Sequence, residues 1–311
     1  MPTVNSALPR RVAIVEVGPR DGLQNEKSPI TTDMRIELCD RLTDAGFPNI
    51  EAGSFVSPKW VPQMADTAEL MRRIRRKPGV TYSVLTPNMK GFEGALEAKA
   101  DEVVIFGAAS EAFSQRNINC SIAESIARFE PVAQAAKAHR IRLRASVSVA
   151  LGCPYQGDVS PAAVADVVQR FADLGCDMID IADTIGTGTP RQTHAVFEAA
   201  LRVVPPGRLS GHFHDTYGMA VANTYAALEA GISTFHASVA GMGGCPYAKG
   251  ATGNVATEDL LYLFQGLGIE TGVDLAKVVD IGQWVSGLLG RKGSARAGNA
   301  LAAKRADAAT A

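Results

Sequence analysis

Two histidines flank a phenylalanine in the run His212-Phe213-His214-Asp215. Successive side chains on a strand point to opposite faces, so His212 and His214 share one face and Asp215 points away. Two imidazoles on one face at a strand end can hold a metal ion. The competing arrangement is a hydrogen-bonded pair in a polar core. Asp21 and Asn254 would add oxygen donors, giving a mixed nitrogen and oxygen shell with two octahedral positions open to substrate oxygens. That donor set suits Mg²⁺ or Mn²⁺. Arg20, next to Asp21, needs negative charge to balance it, from Glu51 or Glu16. It could then stabilise an oxyanion formed during reaction; otherwise it is a structural Arg–Glu pair. Further on, Gly241-Met242-Gly243-Gly244-Cys245-Pro246 sets a cysteine in a glycine-rich loop. Such a loop can close over a site, and its thiol can exchange a proton with a carbon centre. The alternative is a small apolar residue in a flexible turn. Together these residues point to metal-assisted chemistry completed by a thiol.

The residues are far apart in sequence, so the fold must bring them together. Strand-like apolar runs are predicted over 12–17, 50–55, 81–85, 102–107, 142–150, 178–182, 209–214 and 234–239. Helical periodicity is predicted between them, over 33–45, 62–75, 89–98, 122–138, 161–174, 193–203 and 219–230. Start signals precede several helices: Thr32 before Asp33, Ser121 with Glu124, Ser160 before Pro161 and Thr189 before Pro190. Gly46, Gly175 and Gly231 fall where helices should stop. Eight strands alternating with helices predict a parallel α/β fold, and at this length a closed (β/α)₈ TIM barrel with extra C-terminal helices. An open doubly wound sheet would carry a glycine-rich phosphate turn after its first strand; here that strand runs into Gly18-Pro19-Arg20-Asp21-Gly22. In a barrel the polar residues at strand ends converge at one mouth: Glu16, Arg20, Asp21, Glu51, Ser54, Asp183, Thr184, His212, His214, Cys245 and Asn254. Residues 1–290 read as a single catalytic barrel and residues 291–311, rich in Ala, Gly, Lys and Arg, as a flexible tail.

Composition narrows the class. The chain has 311 residues, 46% of them hydrophobic, and a net charge of −1. That near balance gives no bulk attraction to nucleic acid or to an anionic membrane. The basic run Arg72-Arg73-Ile74-Arg75-Arg76-Lys77 reads as a solvated helix end. The 5 cysteines lack CxxC spacing, which argues against a zinc cluster or a disulfide scaffold. With no signal-peptide core and no membrane-length apolar run, the expectation is a soluble cytoplasmic protein. Lys27 and Lys249, in the first and last mouth loops, could meet an anionic substrate tail; a solvated lysine is the alternative.

Longer segments carry a family resemblance. Val15-Glu16-Val17-Gly18-Pro19-Arg20-Asp21-Gly22-Leu23-Gln24-Asn25-Glu26 resembles the first-strand motif of the 3-hydroxy-3-methylglutaryl-CoA lyases. So do Ser54-Phe55-Val56-Ser57-Pro58-Lys59-Trp60, Leu151-Gly152-Cys153-Pro154-Tyr155, Asp183-Thr184-Ile185-Gly186 and His214-Asp215-Thr216-Tyr217-Gly218. The most specific match is the run from Ser238 to Leu261, SVAGMGGCPYAKGATGNVATEDLL. The resemblance implies a (β/α)₈ barrel with a divalent cation, Mg²⁺ or Mn²⁺, held by Asp21, His212, His214 and Asn254. It places catalytic roles on Arg20, Cys245, Glu51 and Asp183, and substrate or CoA contacts on Arg20, Gln24, Lys27 and Ser54. It implies retro-Claisen cleavage of an acyl-CoA substrate to acetyl-CoA and acetoacetate. Helices outside the barrel offer a face for a homo-oligomer, a dimer or tetramer.

Several positions depart from that family's pattern. Phe213 and Val149 stand in place of cysteines, Gly53 of a threonine, Ser146 of a tyrosine, Gln156 of a glutamate, and His236-Ala237 of an Asp-Ser pair. Gly53, Ser146 and His236 fall on strands near the mouth and could reshape an acyl pocket for a longer or differently branched 3-hydroxyacyl-CoA; neutral drift is the alternative. A Claisen-type acyltransferase is the rival enzyme, but the loop after strand eight lacks its Asn-Gly-x-Gly-Glu-Arg pattern. A non-enzymatic metal-binding or CoA-binding barrel has no feature in its favour.

Overall fold

The computed structural model describes residues 8–26, 28, 30–244 and 253–310. Eight strands run β1 Ala13–Glu16, β2 Asn49–Ser54, β3 Thr81–Leu85, β4 Glu102–Ala108, β5 Arg142–Ser148, β6 Met178–Asp183, β7 Leu209–Phe213 and β8 Thr234–Ala237. Each pairs in parallel with the next, and β8 pairs with β1, closing the (β/α)₈ barrel. Around it lie α1 Thr32–Ala45, α2 Thr67–Arg73, α3 Met89–Glu97, α4 Glu111–Ile118, α5 Ile122–His139, α6 Pro161–Asp173, α7 Pro190–Leu201 and α8 Ala220–Glu229. Extra C-terminal helices follow as α9 Thr257–Gly266, α10 Leu275–Leu289 and α11 Arg296–Thr310.

Local signals explain most boundaries. Ser121 and Glu124 form the expected capping box, and Ser160 caps α6 through the Ala163 amide. Gly46 ends α1 at φ 97°, where an added Cβ would lie 2.6 Å from the Gly272 carbonyl oxygen. Three expectations shift. The cap of α1 is Thr31, not Thr32: its hydroxyl accepts from the Met34 amide. The helix predicted over 62–75 is a short 3₁₀ turn, Pro62–Met64, then α2. Residues 291–311 hold α11 in place of the predicted flexible tail. Their alanines favour helix, and the Asp259 carboxylate on α9 accepts from the Arg296 and Ala297 amides at 3.2 and 2.6 Å.

The strands sort their side chains between two environments. On β5, Leu143, Ala145 and Val147 join the apolar core under the helices, while Arg144 points the other way into the barrel. There it meets carboxylates rather than the aliphatic layers common in such barrels. Arg144 Nε donates to Glu102 of β4 at 3.0 Å, Nη1 to Asp180 of β6 at 2.6 Å, and Nη2 to Glu51 of β2. All four side chains are buried. Burial works against the Arg144 charge, but the three carboxylates overcome it and raise the guanidinium pKa.

A second buried carboxylate ties the mouth together. Glu16 accepts from the amides of Gly18 and Val239 at 2.8 and 2.9 Å and from the Thr257 hydroxyl at 2.6 Å. It fastens β1 to the segment after β8 and makes no pair with Arg20. Burial pushes its carboxyl up to about 7 from 4.5. Glu258 accepts from the Ala240 amide at 3.0 Å, and burial pushes it up to about 8.

Arg144→Met strands three buried carboxylates and should cost about 3–5 kcal/mol in urea unfolding; a loss below 1 kcal/mol would mean that the carboxylates find other partners. For Glu16, a raised folded pKa means its contribution is complete below pH 4.5 and lost as pH climbs through 7. Replacing it with Gln should therefore remove roughly 2–3 kcal/mol of the stability decline between about pH 5 and pH 8. An unchanged pH slope in the variant would show that Glu16 does not titrate there.

Candidate metal and catalytic site

The site assembles at the C-terminal ends of the strands, beginning with the turn after β1. Gly18–Gly22 forms a single π-helical turn packed against Ser238 and Met242. A Cβ on Gly22 would lie 2.8 Å from the Ser238 hydroxyl, so the close backbone approach needs glycine. The turn presents Arg20 and Asp21. Arg20 Nε donates to Glu51 and its Nη1 to Asp21 at 2.6 Å. Of the two acidic residues considered for Arg20, Glu51 is the one it meets. Glu51 thus lies between two guanidinium groups. Burial works against its charge, but Arg20 and Arg144 hold it down at about 2.

Asp21 faces the histidines of β7. Its Oδ2 lies 3.9 Å from His212 Nε2 and 3.7 Å from His214 Nε2. Burial favours the neutral acid, but Arg20 and the two imidazoles hold Asp21 well below the usual carboxylate range. Burial also drives His212 down to about 3, so it is a neutral imidazole with a lone pair to offer. Asn254 reaches the same place because the chain after β8 runs back along β7. The Val255 amide donates to the Phe213 carbonyl at 3.0 Å and the Asp215 amide to the Gly253 carbonyl at 2.9 Å. Asn254 Nδ2 then donates to Asp21 Oδ2 at 2.8 Å.

One ligand atom from each of Asp21, His212 and His214 lies within 4.8 Å of the others. His214 Nδ1 is buried without a hydrogen-bond partner. A carboxylate, two imidazoles and a carboxamide, all on buried side chains, fit a divalent cation. All four predicted ligands are therefore brought together, although Asn254 turns the donor end of its amide toward Asp21.

The other predicted residues divide. Gln24 Nε2 donates to Asp21 Oδ1 at 3.0 Å, which places it beside the cluster. Ser54 accepts from the Val56 amide, and its own amide donates to Thr67, so its bonds serve the loop after β2. Asp183 accepts from the amides of Thr187 and Gly188 at 3.1 and 2.8 Å, shaping the turn after β6; burial pushes its carboxyl up. Lys27, Cys245 and Lys249 lie outside the described residues. Gly53 is a correction to the idea of an altered acyl pocket: its missing side chain would collide with Thr67 of α2, with a Cβ 2.5 Å from Thr67 Oγ1. Its smallness accommodates a helix, not a ligand.

Arg144, Glu102, Asp180 and Ser210 belong to no sequence motif of the site, and His236 stands out in the sequence only as a departure from the family pattern. Ser210 donates to Asp180 Oδ1 at 2.6 Å, and His236 lies 3.3 Å from His212, nitrogen to nitrogen. Burial keeps His236 well below the ordinary imidazole pKa. Charge on apolar strands marks three of them: Arg144 and Asp180 each stand between aliphatic residues, as an inner face of two-residue period would place them, and Glu102 opens the run Val103-Val104-Ile105.

The chain is similar to known proteins along nearly its whole length. The family model described as HMGL-like matches residues 11–285. A Pseudomonas aeruginosa 3-hydroxy-3-isohexenylglutaryl-CoA/hydroxymethylglutaryl-CoA lyase is 58% identical over 297 residues, covering 96% of this chain and 99% of that protein. The mitochondrial hydroxymethylglutaryl-CoA lyase of Rattus norvegicus is 57% identical, covering 94% of this chain and 90% of its own length. The crystal structure of hydroxymethylglutaryl-CoA lyase from Pseudomonas aeruginosa superposes with a TM-score of 0.94 at 58% identity, over 96% of this chain and 99% of that one. With its barrel, its Asp-His-His cluster and this likeness along nearly its whole length, the chain belongs to the HMGL-like family.

Proposed function

We propose that the protein is a divalent-metal-dependent carbon–carbon lyase that cleaves a 3-hydroxy-3-methylglutaryl-CoA-type thioester to acetyl-CoA and acetoacetate. The observation that carries this reading is the convergence of Asp21, His212, His214 and Asn254 beside Arg20 at the barrel mouth, in a chain so similar to lyases of that name. The four residues would hold Mg²⁺ or Mn²⁺, which would supply Lewis-acid polarisation of the substrate's tertiary alcohol and a neighbouring oxygen. The hydroxyl proton passes to the Asp21 carboxylate, which has a second oxygen besides the one that would hold the cation; His212 Nε2 has a single lone pair, committed to the cation. The bond between the carbinol carbon and the carbon next to the thioester then breaks. Its electron pair becomes the enolate of the acetyl thioester, and the alcohol carbon becomes the ketone of acetoacetate. Arg20, already held by Glu51 and Asp21, faces that developing negative charge without reorganising. Cys245 returns a proton to the enolate carbon. Gln24 steadies Asp21; Lys27 suits the phosphates of CoA, and Ser54 and Asp183 act by shaping the loops that border the substrate.

Among the described residues no helix is long and apolar enough to cross a membrane. Cys39, Cys120, Cys153 and Cys176 are buried free thiols, which supports a reducing compartment such as the cytoplasm. A longer or differently branched acyl group is a second reading. Ser146 and Ser148 are partly exposed on the Arg144 face of β5, leaving room where larger side chains would stand. The similar Pseudomonas protein is named for both a methyl and an isohexenyl substrate.

Acetyl-CoA release from a series of 3-hydroxyacyl-CoAs, with and without added Mg²⁺ or Mn²⁺, tests both readings. Chelation should abolish turnover, and either cation should restore it. Arg20→Gln should lower kcat roughly 100- to 1000-fold, as loss of an oxyanion partner does. Metal-independent turnover would refute the lyase mechanism, and strict preference for the methyl substrate would refute the second reading. Full turnover by Cys245→Ala would remove the thiol from it.

A further inference from the structure

His236 stands one strand away from the metal cluster, and its contacts determine where protons sit on its ring. Asp180 Oδ1 lies 3.4 Å from His236 Nε2. A carboxylate with Arg144 on its other oxygen accepts rather than donates, so this close approach favours the tautomer with the hydrogen on His236 Nε2. Arg144 Nη1 lies 3.4 Å from both ring nitrogens and so does not favour either. A neutral imidazole has one donor and one acceptor. His236 Nδ1 is therefore the acceptor, and it lies 3.3 Å from His212 Nδ1. His212 must donate there, which puts its own hydrogen on Nδ1 and leaves Nε2, the nitrogen facing Asp21, with a free lone pair.

We infer that His236 is a positioning residue for metal binding: through the chain Asp180–His236–His212 it fixes the His212 tautomer and ring orientation so that Nε2 faces the cation. The chain is anchored at its far end, because Ser210 and Arg144 each donate to Asp180 at 2.6 Å. Groups that hydrogen-bond the second nitrogen of a ligand imidazole typically govern metal affinity by about 10- to 100-fold. Here an imidazole does that task in place of a carboxylate or a carbonyl. The inference rests on the metal reading above and adds a specific residue to it.

Titration with Mn²⁺, followed by electron paramagnetic resonance and calorimetry, tests it without an activity assay. His236→Phe keeps a ring but removes the acceptor, and should weaken Mn²⁺ binding about 10- to 100-fold. His236→Asn can present its amide oxygen where Nδ1 was, and should recover most of that loss; a purely structural role for the ring would give no such rescue. Nitrogen-15 NMR of the metal-free, unmutated protein gives an answer that does not depend on how the variants fold. It should show His212 protonated on Nδ1 and His236 on Nε2. The opposite tautomer of His212, or His236→Phe binding Mn²⁺ as the parent does, overturns the inference alone. Failure of the unmutated protein to bind Mn²⁺ or Mg²⁺ overturns the metal reading, and the inference with it.

Discussion

One guanidinium group organises the interior of this barrel. Arg144 takes a carboxylate from β2, another from β4 and a third from β6, and its outer face lies against His236 of β8. A buried ion pair gains little over apolar packing when it stands alone, because desolvation offsets the Coulomb attraction. Here the groups are also hydrogen-bonded, so removing one member exposes the others to the full cost of unpaired charge. The cluster is therefore better understood as a scaffold than as a source of stability. It fixes Glu51, and Glu51 fixes Arg20. It fixes Asp180, whose other oxygen lies 3.4 Å from His236.

This arrangement shows how a rigid barrel can serve a site built largely from loops. Arg20, Asp21 and Gln24 lie in the turn after β1, and Asn254 lies beyond β8. Loops alone would leave these side chains with rotamer freedom, and a site that must order itself at each turnover loses part of its advantage. The restraint comes from below. Glu51, on a strand and buried, holds Arg20 by one oxygen while the other is taken by Arg144. Glu16 plays the matching role on the far side, holding the Gly18 and Val239 amides and the Thr257 hydroxyl of the segments that carry Asp21 and Asn254. Two buried acids in one protein thus have pKa values displaced in opposite directions. Glu51 is held down at about 2 by two arginines, and Glu16, which meets only amides and a hydroxyl, is pushed up to about 7.

Much of the mouth was legible in the sequence because its motifs are local. His212 and His214 share a face by strand alternation alone, and Arg20-Asp21 follows the first strand directly. The closed barrel followed from counting alternating elements, and its capping signals worked to within a residue. The interior network was harder to read. Arg144 is visible as a charge in an apolar strand, but its partners lie on three other strands, and nothing in a linear pattern says which carboxylates a closed sheet will turn inward toward it. Gly53 misled for a related reason. Its strand faces the mouth at Glu51, and a register shift between Glu51 and Gly53 turns the glycine toward α2. The C-terminal helix was obscured by composition, since alanine-rich sequence favours helix without announcing the surface it will dock against.

The alternation around Arg144 also bears on how the chain finds its fold. Leu143 and Ala145, its neighbours on β5, belong to the layer beneath the helices. Sliding β5 by one residue against β4 or β6 would drive a guanidinium into that oily layer and leave three acids unpaired inside the sheet. Parallel barrels must choose among closures with similar backbone hydrogen bonding, and aliphatic interiors discriminate weakly between them. A single cation that fits only when four strands are aligned makes misaligned closures much less favourable. The residue that steadies the chemistry is thus also a proofreading device for assembly of the sheet.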